Sequence, residues 1–125
     1  MSVALIVFGH GSRDAMWGET LLALGERLRA ELPATQVRLA YLEFMHPTLA
    51  ECVDALWREG WREIAVLPAF IGEGSHLRKH LPLLIDAARA GREGVSIRLL
   101  PAMGDLPEVQ EGVARFVRGV LLQQP

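Results

Sequence analysis

Four short runs of branched apolar residues, Val3 to Phe8, Val37 to Leu42, Ile64 to Leu67 and Val95 to Leu100, alternate with four stretches of helical periodicity. No other feature constrains the fold as strongly. Runs this short and uniformly apolar fit strands covered on both faces, as in a parallel sheet. The helical stretches carry apolar residues every three or four positions: Trp17, Leu21, Leu24, Leu28; Leu49, Val53, Leu56; Leu77, Leu81, Leu84, Ala88; and Val109, Val113, Phe116, Val120. Each stripe reads as a face turned to a core. Pro33, Gly60 and Gly91 stop the first three helices, and Asp105 with Glu108 predicts a capping box at the start of the fourth. Parallel neighbours need long, right-handed crossovers. Four β-α units therefore predict an α/β fold over residues 1–125: one domain, a four-stranded parallel sheet of order 2-1-3-4, and flanking helices.

A chain of 125 residues, half of them hydrophobic, is long enough to build its own core. The formal charge of -2 supplies no basic field, which argues against nucleic acid as a partner. Cys52 is the only cysteine, so no internal disulfide forms. It falls within a helical pattern and reads as a small core residue of a protein of the reducing cytoplasm. Met1 to Val7 has no basic segment, and its apolar run is far shorter than the roughly 20 residues that span a bilayer, so no membrane role is expected.

In the 2-1-3-4 order, strands one and three are neighbours, and ligands bind in the crevice outside their carboxyl ends. His10 follows strand one in Phe8-Gly9-His10-Gly11-Ser12-Arg13, and His76 follows strand three in Phe70-Ile71-Gly72-Glu73-Gly74-Ser75-His76. Glu43 ends strand two, and Met103-Gly104-Asp105 follows strand four on the same edge. Neutral imidazole is the commonest metal ligand and also accepts protons, so His10 and His76 suggest a divalent-metal site that Glu43 would complete. Gly72 and Gly74 let backbone approach a ligand closely, and Ser12 and Ser75 are placed to open helices whose N-termini favour anions. Arg13 adds charge suited to carboxylates. His46, before Pro47, reads as a capping residue, and His80 lies one helical turn after His76. The first loop contains no Gly-x-Gly-x-x-Gly and no Lys-Ser/Thr pair, so neither dinucleotide binding nor a P-loop is supported. A histidine phosphatase is a second reading, but Gly9 stands where such enzymes carry Arg before the His.

Three motifs in register, Val7-Phe8-Gly9-His10-Gly11-Ser12-Arg13-Asp14, Ala40-Tyr41-Leu42-Glu43 with Pro47, and Leu67-Pro68-Ala69-Phe70-Ile71-Gly72-Glu73-Gly74-Ser75-His76 with Leu81-Pro82, resemble the class II sirohydrochlorin chelatases of the short CbiX type. The resemblance runs through nearly the whole chain. It implies a three-layer chelatase-like fold and insertion of cobalt, iron or nickel into sirohydrochlorin, an anionic tetrapyrrole, on the way to cobalamin, siroheme or coenzyme F430. The metal enters as substrate, with no permanently bound cofactor, and short members are expected to be homodimers. By this resemblance His10 and His76 are the metal and catalytic histidines, Glu43 is a third catalytic group, and Ser12, Arg13, Gly72, Gly74 and Ser75 contact the substrate. A carrier that binds the metal or the tetrapyrrole without turnover is the non-enzymatic alternative. Two departures stand out: Ser75 replaces a family glycine, and His80 stands where the family usually has Asp.

Overall fold

The structure, a computed structural model, describes residues 3–72 and 74–123, and of His76 it describes the backbone alone. Four parallel strands, β1 (Ala4–Gly9), β2 (Gln36–Tyr41), β3 (Glu63–Pro68) and β4 (Ser96–Leu99), form one sheet in the order β2-β1-β3-β4. The order is the one the alternating pattern predicts. Helices α1 (Glu19–Glu31), α2 (Leu49–Arg58), α3 (Ser75–Arg89) and α4 (Pro107–Leu122) follow the strands in turn, with short 3-10 turns at Ala15–Gly18 and Met103–Asp105. No helix among the described residues is long and apolar enough to cross a membrane.

The centre of the sheet is covered on both faces. Ile6, Val7 and Phe8, successive on β1, are each fully buried, which an alternating one-sided strand cannot achieve. On one face Ile6, Phe8, Ile64 and Val66 meet Leu49, Val53 and Leu56 of α2 and Leu81, Ile85 and Ala88 of α3. On the other, Val7, Val37 and Tyr41 meet Leu21 of α1, with Leu24 and Leu28 partly buried beside them. Burying each such side chain stabilises the fold by about 1.5–3 kcal/mol. Helix α2 opens with the capping box Thr48/Glu51, in which each side chain bonds to the other residue's backbone N–H.

Two expectations fail at the C-terminal end. Val113, Phe116 and Val120 are 59%, 71% and 56% exposed rather than core; among the described residues, the main packing of α4 is on the 3-10 turn that precedes it. Asp105 belongs to that turn, and Leu106, which has no side-chain hydrogen bond to give, occupies the cap position of α4. On β4, Ser96 and Arg98 are exposed while Ile97 and Leu99 join the core on the α2/α3 face. Among the described residues, the α1 side of β4 is thus left uncovered at Ser96 and Arg98.

Strand pairing continues past the strand ends and joins the loops on the carboxyl edge. The N–H groups of Leu42 and Glu43 donate to the carbonyls of Gly9 and His10 (2.9 and 3.0 Å), and Ala69 donates to Phe8 (2.8 Å). Gly104 donates to Phe70 (2.8 Å). This zippering requires glycine at two points. Gly11 has φ +86, and a Cβ there would lie 1.8 Å from the Glu43 carbonyl oxygen; a Cβ on Gly104 would lie 1.6 Å from that of Ile71. Gly11→Ala and Gly104→Ala are each expected to cost about 2 kcal/mol or more in denaturant unfolding. Gly112→Ala on exposed α4, where nothing lies within 4 Å, should gain up to ~1 kcal/mol through helix propensity. Equal stability of all three variants would show that the loops are not pinned this way.

Candidate functional site

The carboxyl edge of the sheet gathers the polar residues singled out above. His10 leaves β1 exposed, yet its ring has a firm base: it lies 4.6 Å from the ring of Phe70, tilted by 53°. Phe70 is only 4% exposed and meets Phe8 edge-on at 6.0 Å. The imidazole thus rests on the aromatic end of the core. Glu43 is exposed on the neighbouring loop, its N–H bonded to the His10 carbonyl, so the two residues are held side by side through backbone. His76 is the second residue of α3, the helix that begins after the β3 loop. Its side chain lies outside the described residues. Among the described side chains, no three of His, Cys, Asp and Glu converge on a point that would hold a metal.

The loop side chains around this edge take roles that differ in detail from the sequence reading. Ser12 does not open a helix; its Oγ accepts from the Asp14 N–H (3.0 Å), and the Asp14 carboxylate caps the following 3-10 turn through the Met16 N–H (3.0 Å). Ser75 is the first residue of α3, with Gly74 in the cap position and no side chain capping it. Gly72 and Gly74 are exposed in the β3 loop, and Asp105 Oδ1 lies 3.9 Å from where a Gly72 Cβ would stand.

Sequence reasoning missed Phe44. It follows the pinned Glu43 in the left-handed region (φ 68), leaves its ring 54% exposed, and carries the Arg13 guanidinium 4.6 Å above the ring centroid. A single Phe in a loop gives no periodic signal, and the contact with Arg13 joins residues 31 positions apart in the chain. A cation over an aromatic face is worth about 0.5–1 kcal/mol at an exposed position, enough to bias the direction of Arg13. Trp17 stands on the α1 side of the same edge, 3.1 Å from a Cβ built on Gly9 and edge-on to Tyr41 at 6.4 Å.

Of the remaining candidates, His46 and Cys52 take structural places. His46 is not a helix cap: Thr48 holds that position, and His46 Nδ1 lies 2.8 Å from Glu51 Oε1. His80 is half-buried one turn after His76. Cys52 is buried in the α2 core, and burial pushes its thiol up to about 11, which leaves it protonated and unreactive.

The His46 imidazole and the Thr48 N–H hold the Glu51 carboxyl below its ordinary 4.5. A carboxylate with a depressed folded value stabilises the cap above its unfolded value and loses that contribution as pH falls through the folded one. His46→Ala should therefore raise the Glu51 midpoint in an NMR titration toward 4.5, with protection of the first turn of α2 lost at higher pH than in the parent. An unmoved midpoint would remove His46 from the pair.

A model of the CbiX family matches residues 4–119. Sirohydrochlorin cobaltochelatase of Methanocaldococcus jannaschii is 32% identical over 90 residues, 72% of this chain and 63% of that protein. The enzyme of the same name from Saccharolobus solfataricus is 32% identical over 76 residues, 61% of this chain and 58% of its own. These alignments span about three fifths of the length of the curated relatives. Among solved structures, a CbiX protein from Marinobacter aquaeolei superposes with a TM-score of 0.86 at 31% identity, covering 98% of this chain and 100% of that one. The sirohydrochlorin chelatase SirB from Bacillus subtilis, in complex with cobalt, gives 0.80 at 25% identity, covering 96% of this chain and 51% of SirB.

Proposed function

The chain belongs to the CbiX family, and we propose on that premise that it inserts a divalent metal, cobalt, ferrous iron or nickel, into sirohydrochlorin. The observation that carries this reading is the backbone pairing of His10 with Glu43 at the mouth of the sheet, beside the strand that leads to the helix bearing His76. Insertion replaces two pyrrole protons by one dication, so the site must strip water from the ion and accept two protons. His10 and His76 are suited to bind the hydrated ion as neutral imidazoles, exchanging its water for nitrogen ligands. Glu43, tethered to the His10 backbone, is suited to receive protons as the ring nitrogens turn to the metal. The acidic macrocycle needs cationic and N–H partners around its rim. Arg13 on its Phe44 base, Ser12, Ser75, Gly72 and Gly74 at the uncapped start of α3 supply them.

In this reading the metal is substrate rather than resident cofactor, the protein works in the cytoplasm as a homodimer of one-domain chains, and neither nucleic acid nor a membrane is a partner. The dimer is supported by SirB, in which a chain of this size corresponds to about half the molecule. The product would serve cobalamin, siroheme or related tetrapyrrole synthesis.

An anaerobic absorbance assay of sirohydrochlorin with each metal, at substoichiometric protein, tests the proposal. Multiple turnovers above the spontaneous rate are expected, with His10→Ala and His76→Ala each losing about 100-fold or more, and Glu43→Gln about 100-fold. Full activity in either histidine variant would sink the assignment. A single stoichiometric burst would make the protein a carrier.

A further inference from the structure

We infer that Phe44 is a positioning residue: its ring holds the Arg13 guanidinium at the rim of the site, where Arg13 binds a carboxylate arm of the macrocycle. The inference rests on sirohydrochlorin as the ligand of this edge, as proposed above, and adds which residue aims the cation and why that residue is aromatic. The pair joins the two loops that carry the candidate chemistry. Arg13 follows His10 in the loop after β1, and Phe44 follows Glu43 in the loop after β2.

The backbone at Phe44 is costly. The β2 loop is held at both ends: Glu43 N–H donates to the His10 carbonyl (3.0 Å), and Tyr41 N–H donates to that of Pro47 (2.9 Å). Between these points Phe44 takes φ 68, and among the described residues it alone, apart from glycines, occupies the left-handed region. Glycine or asparagine enters that region more easily than a bulky aromatic residue. Burial does not compensate, because the ring is largely exposed and belongs to neither core cluster. A strained backbone that presents an aromatic ring to solvent beside a site points to a task outside folding.

Arg13 shows what the task is. The structure stacks two arginines on aromatic rings, and they differ in what their N–H groups do. Arg62, 5.0 Å above the ring of Trp57, donates to the carbonyls of Trp57 (2.8 Å) and Trp61 (3.1 Å), so its donors are spent within the fold. Arg13, 4.6 Å above Phe44, is exposed and among the described residues has no ion pair and no hydrogen bond. Its acidic neighbour Asp14 turns to the Met16 N–H instead. The contact with Phe44 therefore uses the charge of Arg13 and leaves its N–H donors without an acceptor. A planar fork of donors matches a carboxylate. Held over the ring, the guanidinium has less rotamer freedom to lose when that carboxylate arrives. The ring quadrupole supplies this hold, and an aliphatic side chain of similar bulk does not.

The test is an anaerobic titration of metal-free sirohydrochlorin into the full chain, followed by absorbance. Arg13→Ala should raise Kd about 10-fold, and Phe44→Leu about threefold with circular dichroism unchanged, while Phe44→Trp should bind at least as tightly as the parent. Arg13→Ala combined with Phe44→Leu should be no weaker than Arg13→Ala alone, since Phe44 acts through Arg13. Phe44→Gly should weaken binding and yet unfold at no lower denaturant concentration than the parent, because glycine relieves the left-handed backbone. Parental affinity in Phe44→Leu, or a double variant as weak as the two single losses multiplied, overturns the positioning role alone. Earlier unfolding of Phe44→Gly does the same, by showing that the ring serves the fold. A parent that does not bind sirohydrochlorin overturns both this inference and the chelatase reading. Binding without turnover in the metal assay strikes only the latter, and the same set of dissociation constants still decides the role of Phe44.

Discussion

The hydrogen bonds that carry the parallel ladder beyond the strand ends organise this molecule. A parallel sheet leaves unpaired carbonyls and N–H groups at its carboxyl edge, and four connections could satisfy them in many ways. Here the loops satisfy one another: the β2 loop bonds to the β1 loop through Leu42 and Glu43, and the β4 loop bonds to the β3 loop through Gly104. His10 is therefore fixed by backbone on one side and by Phe70 beneath its ring. A site built this way does not depend on long side chains for its geometry. It depends on two positions where no side chain fits.

Much of the architecture was legible because burial on both faces leaves a strong mark. Continuous apolar runs such as Ile6-Val7-Phe8 fit strands buried on both faces, and the observed order is the simplest doubly wound one for four β-α units. The neighbourhood of His10 and Glu43 was legible for the same reason, since topology places the ends of adjacent strands together. Local capping was not. Ser12 and Asp105 are residues that cap helices in general, but Asp14 stands at the start of the first 3-10 turn and Leu106, followed by Pro107, at the start of α4.

The fourth helix illustrates a deeper limit. An amphipathic stripe states that a face must be covered and is silent about which chain covers it. The strand before it held the missing information: Ser96-Ile97-Arg98-Leu99 alternates polar and apolar, the pattern of a strand with one dry face. Read as a two-sided strand, it concealed the exposed face at Ser96 and Arg98.

The shortness of that last strand has its own consequence. β4 offers four residues at the margin of the sheet, the exposed Arg98 among them, and at the opposite margin Arg38 of β2 pairs with Glu59 (2.6 Å). A short strand at one margin and charged side chains at both make poor templates for another extended segment. The margins of this sheet are therefore set against edge-to-edge pairing, whatever its exposed apolar helix meets.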